Sequence, residues 1–173
     1  MLKDFLDEYA RYKVLGEKAL AQIPEAALNQ PLRTELNSAA MIVRHVGGNL
    51  RSRFTDFLTS DGEKPWRDRE TEFETRPYTR AEVEEWWTAG WTVLFHEVGA
   101  LTEADLNREV TIRGLTLTVH AALCRSLAHT ALHVGQLILL ARWLHEGEWQ
   151  SLSIPKGQSA QYNLNPTREK ELV

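Results

Sequence analysis

Apolar residues recur at three- and four-residue steps in four stretches of this chain, and each stretch predicts an amphipathic helix. Helix-start signals support three of them, and either Thr116 or Thr118 can cap the fourth helix. Either Asn37 or Ser38 can cap the second helix, and Thr79 with Glu82 forms a capping box at the start of the third. Gly147 is placed to end the fourth helix. The predicted helices span about residues 2–23, 38–57, 79–99 and 118–146.

The segments between these helices are polar or alternate in hydropathy. Residues 59–77 are rich in charges and turn residues without a sustained period, which predicts a long surface connection. The stretch VTIRGLTLTV alternates around Arg113 and Gly114 and predicts a small hairpin before the last helix. The polar tail from Ser151 onward predicts extended chain laid over the bundle, without a fifth helix. The pattern as a whole predicts an all-α, four-helix bundle in a single domain of residues 1–173.

Composition and charge narrow the possible partners. The 20 Lys and Arg residues against 24 Asp and Glu residues give a formal net charge of -4, which offers no basic excess for nucleic acid. The most apolar run, Val134 to Leu144, is far shorter than the roughly 20 residues that cross a bilayer, so we expect no membrane span. The fourth helix is apolar on nearly all sides, which favours a homodimer. A single cysteine, Cys124, and a charged start without a signal peptide indicate a cytoplasmic protein.

Two histidines, His129 and His133, are the strongest candidates for chemistry. Four residues apart on a helix, they project roughly 40° apart and can reach one metal ion. A buried imidazole without a partner costs free energy, so the pair needs either a metal or hydrogen-bond acceptors, and the spacing alone leaves both open. His45, in the second helix, is the candidate third ligand of a site with a free coordination position. Its angular position alone puts it at the margin of the apolar stripe, which is typical of a boundary histidine.

Other residues could contribute to such a site. Asn49 and Gln136 each lie about one turn from a histidine, where they can orient a bound water or ligand or can be interior polar residues. The loop combines cations with an aromatic ring in Lys64, Trp66, Arg67 and Arg69. These four could fold over the site and hold an acidic cofactor, or could form a solvated loop. Cys124 lies about 140° from His129 and is expected to pack as a small hydrophobe.

Longer stretches of the sequence are similar to a known group of proteins. The histidine-bearing stretches NSAAMIVRHVGGNL and LAHTALHVGQLILL resemble the DinB-like (YfiT-like) superfamily of metal-dependent bacterial proteins. More narrowly, SRFTDFLTSDGEKPWRDRE and SIPKGQSAQYN resemble a branch catalogued as a domain of unknown function. The resemblance implies an up-down-down-up bundle in which His45, His129 and His133 bind one divalent ion, commonly nickel or zinc.

Three neutral imidazoles would leave the double charge of such an ion uncompensated, so it could generate hydroxide or hold a thiol as its thiolate. No Glu or Asp accompanies the histidine pair in the manner of a metalloprotease base. Relatives in the wider superfamily include thiol-dependent S-transferases and a mycothiol-dependent isomerase. The resemblance therefore implies a metal-dependent enzyme that acts on a small-molecule substrate with a low-molecular-weight thiol.

Two hypotheses compete with this one. The first is a noncatalytic module, in which an ion or a hydrogen-bond network only ties the second helix to the fourth. The second is a protein-interaction module, which rests on the apolar fourth helix and on Trp86, Trp87 and Trp91.

Overall fold

The four predicted helices are all present in the computed structural model, which describes residues 1–166. The elements are α1 (Leu2–Leu20), a 3₁₀ turn (Glu25–Ala27), α2 (Ala39–Phe54), a 3₁₀ turn (Glu70–Phe73), α3 (Arg80–Gly99), a 3₁₀ turn (Glu103–Asn107), β1 (Glu109–Ile112), β2 (Leu115–Thr118), α4 (Val119–Leu144) and α5 (Ser159–Leu164). The two strands pair antiparallel on either side of Arg113 and Gly114. The prediction of a helical bundle with a hairpin before the last long helix is confirmed.

Side-chain caps begin three of the long helices. The Ser38 hydroxyl accepts the Met41 backbone N–H at 3.3 Å, so Ser38 and not Asn37 caps α2. Thr79 and Glu82 form the predicted capping box of α3. Thr118 caps α4 through its hydroxyl. Local capping chemistry is therefore sufficient to place these helix starts.

Three helices end a few residues earlier than the apolar pattern predicts. Ile23 and Phe57 are buried, but they lie in the turns that follow α1 and α2. Because these turns also bury apolar side chains, the helical pattern continues past the true helix ends. α4 ends at Leu144, where His145 adopts extended backbone, and Gly147 has a positive φ of 106° in the loop beyond.

The helices pack mainly as two pairs, α2 with α3 and α1 with α4. The first pair meets backbone to backbone at two glycines. A Cβ atom added to Gly90 would lie 2.7 Å from the Cα atom of Gly47, and one added to Gly47 would lie 2.3 Å from the carbonyl oxygen of Trp86. Only glycine allows this approach, which brings the middle of α2 into the interior of the bundle.

The tryptophans of α3 are mostly internal. Trp91 is fully buried and Trp87 is 3% exposed, while Trp86 is half-buried against the core. The prediction that these three tryptophans form an interaction surface is therefore wrong, because their rings pack among the helices. Apolar side chains are exposed instead on the outer face of α4, at Leu132, Leu139 and Trp143.

The long connection between α2 and α3 is only partly a surface loop. Lys64 and Glu72 are buried within it. The Asp61 carboxylate anchors the loop to the hairpin by accepting the backbone N–H groups of Arg113 and Gly114, both at 2.8 Å. These contacts draw the loop over one end of the bundle, beside α2 and α4.

The prediction of a tail without a fifth helix is wrong, because Ser159–Leu164 form the short helix α5. The rest of the described tail crosses the bundle, where the Gln150 backbone exchanges hydrogen bonds of 2.8 and 3.1 Å with the side chain of Gln22. Residues 167–173 of the predicted tail lie outside the described residues. Between residues 1 and 166, none of the helices combines the length and apolar character needed to cross a membrane.

Candidate metal centre

His45 of α2 meets His129 and His133 of α4 at a site where His45 is buried and the other two histidines are half-buried. Nε2 of His129 lies 3.2 Å from Nε2 of His45 and 3.1 Å from Nε2 of His133. One nitrogen from each ring can be chosen so that all three lie within 4.8 Å of one another. The tertiary structure thus brings together the three histidines predicted from separate segments, and this histidine group could hold a metal ion.

His45 is more deeply buried than its position on the helix indicated. It is 5% exposed, whereas the sequence pattern placed it at a boundary. The 3₁₀ turn between α2 and α3 covers this side of α2, and the ring of Phe73 lies 4.9 Å from that of His45. The helical pattern of α2 cannot show a cover that comes from a loop.

Glu72, from the same turn, holds His45 in place. Its Oε2 accepts a hydrogen bond from Nδ1 of His45 at 2.8 Å, and its two oxygens accept from Nε and Nη2 of Arg67 at 2.8 and 2.9 Å. Burial raises the pKa of Glu72, but the hydrogen bonds from His45 and Arg67 outweigh it, and the net shift of the pKa is downward. Because the carboxylate stays ionised, His45 carries its proton on Nδ1 and leaves Nε2 free as a ligand atom.

The sequence reasoning missed Glu72 because it is one of several carboxylates in a charged segment without periodicity. A general rule of metal-site chemistry could have indicated that such a residue is present. Metal-ligating histidines nearly always donate their second ring nitrogen to a carboxylate, a carbonyl or a water. That rule calls for an acceptor near His45, but it does not say which of the loop carboxylates supplies it.

Gln136 fixes His133 in the same way. Nδ1 of His133 donates to Oε1 of Gln136 at 2.9 Å, so its Nε2 also presents a lone pair. The lone pairs of His45 and His133 both face Nε2 of His129, which has at most one proton to donate. At least one acceptor within the histidine group therefore receives no proton from the other rings, and a divalent cation would satisfy all three nitrogens.

The surroundings favour the neutral form of His129 and His133. Burial, with a further contribution from the neighbouring histidines and arginines, lowers the pKa of His129 to about 3. Burial also lowers the pKa of His133, against the opposing hydrogen bond to Gln136. Neutral imidazole is the form that ligates a metal, so both shifts favour the ligating form of these two histidines.

Two of the three separations between the nitrogens, those from His129, fit a tetrahedral ion. Zinc–nitrogen bonds of about 2.0–2.1 Å at tetrahedral angles place the ligand atoms about 3.3 Å apart. The observed separations of 3.2 and 3.1 Å are close to this value. With three protein ligands, a four-coordinate ion would keep one position for water or substrate.

A cavity of about 180 Å³ adjoins the histidine group and uses His45 and His129 as part of its wall. Two of the predicted contributors, Asn49 and Arg67, also line this cavity, and Asn49 is 9% exposed. Gln136 is not part of the wall and acts on His133 instead. The cavity therefore gives a small molecule access to two of the histidines.

Only two of the four loop residues predicted to fold over the site line the cavity. Arg67 and Arg69 line the cavity, as expected for a loop that folds over the site. Lys64 does not, because its Nζ donates to Oγ of Ser60 at 2.7 Å. Trp66 is 50% exposed and outside the cavity wall, so the aromatic ring is not part of the binding surface.

The prediction that Cys124 is packed among apolar side chains is wrong. Cys124 is exposed and does not pack as a small hydrophobe; its Sγ lies 3.9 Å from Nε2 of His120 on the outer side of α4. Since α4 is apolar on nearly all sides, the apolar surroundings of Cys124 in the sequence do not distinguish an inner from an outer position. The thiol is separate from the histidine group.

Comparison with known families covers nearly the whole chain. A family model described as a protein of unknown function (DUF1572) matches residues 1–158. No curated protein matches the sequence. The matched range contains α1 to α4, the covering loop and all three histidines. The chain therefore belongs to the DUF1572 family.

Proposed function

We propose that this protein is a metal-dependent enzyme in which His45, His129 and His133 hold one divalent ion, zinc or nickel. The observation that carries the proposal is the convergence of three Nε2 atoms, two of them fixed as acceptors by Glu72 and Gln136. A hydrogen-bonded cluster would not need two fixed acceptors that face one nitrogen with at most one proton to donate. The DinB-like superfamily, which the sequence resembles, remains the proposed wider relationship.

The proposed reaction is the transfer of a low-molecular-weight thiol to an electrophilic small molecule. A divalent ion with three neutral ligands supplies Lewis acidity that favours the thiolate form of a thiol near neutral pH. In the transfer, the thiol proton leaves to solvent, the sulfur forms a bond to the electrophilic carbon, and the leaving group departs with its bonding electrons. Hydrolysis by an activated water is the less favoured reaction.

The protein's own side chains position the reactants. Glu72 and Gln136 use the second nitrogen of His45 and His133, so neither ring has a free nitrogen with which to move a proton. A proton from the thiol therefore passes to neither of these two rings, and the adjoining cavity is its proposed route to solvent. Asn49, in the cavity wall, supplies an amide for hydrogen bonding to the substrate.

Metal analysis of the untagged chain, with glutathione and monochlorobimane as thiol and electrophile, tests the proposal. We expect about one ion per chain, and His129→Ala should lose both the ion and the conjugating activity. His96→Ala is the matched control, because that histidine lies on the exposed side of α3 and outside the histidine group. Full activity after removal of the metal would overturn the proposal.

The noncatalytic alternative gives a different result. If the ion only ties α2 to α4, chelation should lower the melting temperature, and no thiol or hydrolysable substrate should be turned over. The adjoining cavity favours the enzyme, since a purely structural ion is normally closed off by four protein ligands.

A further inference from the structure

The cavity beside the histidine group has a strongly positive wall. Five of its lining residues are arginines, and none is acidic. They are Arg53, Arg67, Arg69, Arg113 and Arg125. The chain as a whole carries a net charge of -4, so this concentration of positive charge is local to the cavity. A concave site of one charge sign attracts ligands of the opposite sign.

Three of these arginines already have carboxylate partners. Arg67 is held by Glu72, as described above. Arg113 donates from Nε to Glu63 at 3.0 Å, and Arg69 lies 3.4 Å from an exposed neighbouring glutamate. Their charges are largely compensated by these carboxylates. They therefore line the cavity without needing a bound anion as a partner.

Arg53 and Arg125 differ, because the guanidinium group of neither forms a hydrogen bond or an ion pair with another residue between 1 and 166. Nη1 of Arg53 is buried and has no acceptor. Burial lowers the pKa of Arg53, and neighbouring arginines act in the same direction against Glu63. A buried charged donor without an acceptor costs free energy that a bound anion would recover.

These two arginines lie on the same helices as the histidines. Arg53 comes eight residues after His45 on α2, and Arg125 comes four residues before His129 on α4. All four residues line one cavity. A molecule in the cavity can therefore contact an arginine and a histidine from each helix.

We propose that this cavity is an anion subsite, in which Arg53 and Arg125 bind the carboxylate or phosphate group of a small substrate whose reacting part lies at the histidine group. The position of the reacting part rests on the proposed function, whereas the anion subsite rests on the arginines alone. Guanidinium groups present paired donors that match both anions. The volume of about 180 Å³ is below the roughly 300–1,000 Å³ of pockets for drug-sized ligands, so the subsite takes a small molecule or the anionic end of a larger one.

Calorimetric titration of the metal-free chain with inorganic phosphate and, separately, with acetate tests the subsite. Metal-free protein is used so that neither anion can bind to an ion at the histidines. We expect at least one of the two anions to bind at millimolar concentration, and the tighter one identifies the substrate's anionic group. Arg53→Gln and Arg125→Gln should each weaken binding by about tenfold or more, since each removes charge-assisted hydrogen bonds.

Arg33→Gln is the matched control, because Arg33 is exposed and outside the cavity wall. It should bind both anions as the wild type does. Arg125 is exposed at the cavity rim, so its variant is informative even if the half-buried Arg53 proves necessary for folding. Failure of both anions to bind, or equal binding by the wild type and a folded Arg125→Gln variant, would overturn the proposal.

The two proposals fail separately. The variant His129→Ala should lose the metal but retain phosphate or acetate binding in the metal-free state. If the wild type binds no metal while anion binding depends on Arg125, the metal-dependent enzyme is refuted and the anion subsite stands. If metal binds and anion binding does not depend on Arg125, the anion subsite is refuted and the metal-dependent enzyme stands.

Discussion

Replacement of Glu72 with Gln tests how the protein prepares His45 for a metal. The carboxylate accepts three hydrogen bonds of 2.8 to 2.9 Å, one from His45 and two from Arg67. Gln has nearly the same shape, but it has one acceptor oxygen, and its second position becomes a donor. In Glu72→Gln the Arg67 guanidinium therefore loses one of its two acceptors, and Nδ1 of His45 also loses its acceptor where the amide nitrogen replaces Oε2.

Two separate losses are expected. Removing the carboxylate behind a ligating histidine typically weakens metal binding by about 10–100-fold, or about 1.4–2.7 kcal/mol. The Arg67 side chain is 3% exposed, and breaking a buried ion pair costs about 3–5 kcal/mol of stability. Because Gln keeps one acceptor, the free energy of unfolding of the metal-free variant should fall by an amount near the lower limit, about 3 kcal/mol.

Competition between the metal-free chain and a chromogenic chelator for zinc measures the affinity, and denaturant titration measures the stability. Glu70→Gln is the matched control, since Glu70 lies in the same 3₁₀ turn but its side chain is 88% exposed. We expect the control to behave as the wild type in both measurements. A folded Glu72→Gln variant that binds zinc with unchanged affinity would show that the carboxylate does not orient His45.

Three further predictions concern the fold. Gly47→Ala places a methyl carbon 2.3 Å from the carbonyl oxygen of Trp86 and should lower the free energy of unfolding by about 1–3 kcal/mol. Gly135→Ala on α4, with open space around it, should raise this free energy by up to about 1 kcal/mol, and equal effects in denaturant titrations would refute the close helix approach. Hydrogen bonds from backbone N–H groups lower the pKa of Asp61 to about 2 from an ordinary value of 3.8. The stabilisation from Asp61 is therefore complete above the ordinary value and is lost as the pH falls towards the lowered one. The melting temperature should fall more steeply over that interval in the wild type than in Asp61→Asn, and parallel curves would contradict this. The homodimer stays a prediction: light scattering should show a dimer that Leu139→Glu converts to a monomer, and a monomeric wild type would disprove it.

The helical bundle could be predicted because the signals for it are local. A capping box spans residues only three apart, as at Thr79 and Glu82, and an apolar stripe repeats within one helix. The same applies to His129 and His133, which the pitch of a helix places together wherever that helix is packed. The predicted ends of the helices were less accurate, because Ile23 and Phe57 are buried but lie beyond the ends of α1 and α2.

The candidate site needed the tertiary structure, because its contacts join distant segments. Glu72 reaches His45 across 27 positions of the sequence, and His45 reaches His129 across 84. No periodicity distinguishes Glu72 from the other loop carboxylates, and none shows that Cys124 lies on the outer side of α4. For His45, the sequence resemblance indicated a ligand while the position on the helix indicated a boundary residue.

The sequence by itself determined four amphipathic helices, two histidines on one face of the last helix, and the membership of a family that has no assigned function. Only the tertiary structure decided that the three imidazoles lie close together, with a buried carboxylate behind one of them. It did so through the packing of α2 on α3, of α1 on α4 and of the loop over both α2 and α4. It also decided that arginines from two helices, a loop and a hairpin line one cavity. The physical reason is that hydrogen-bond pitch and side-chain periodicity act over a few residues, whereas burial and charge compensation depend on which surfaces the whole chain brings into contact.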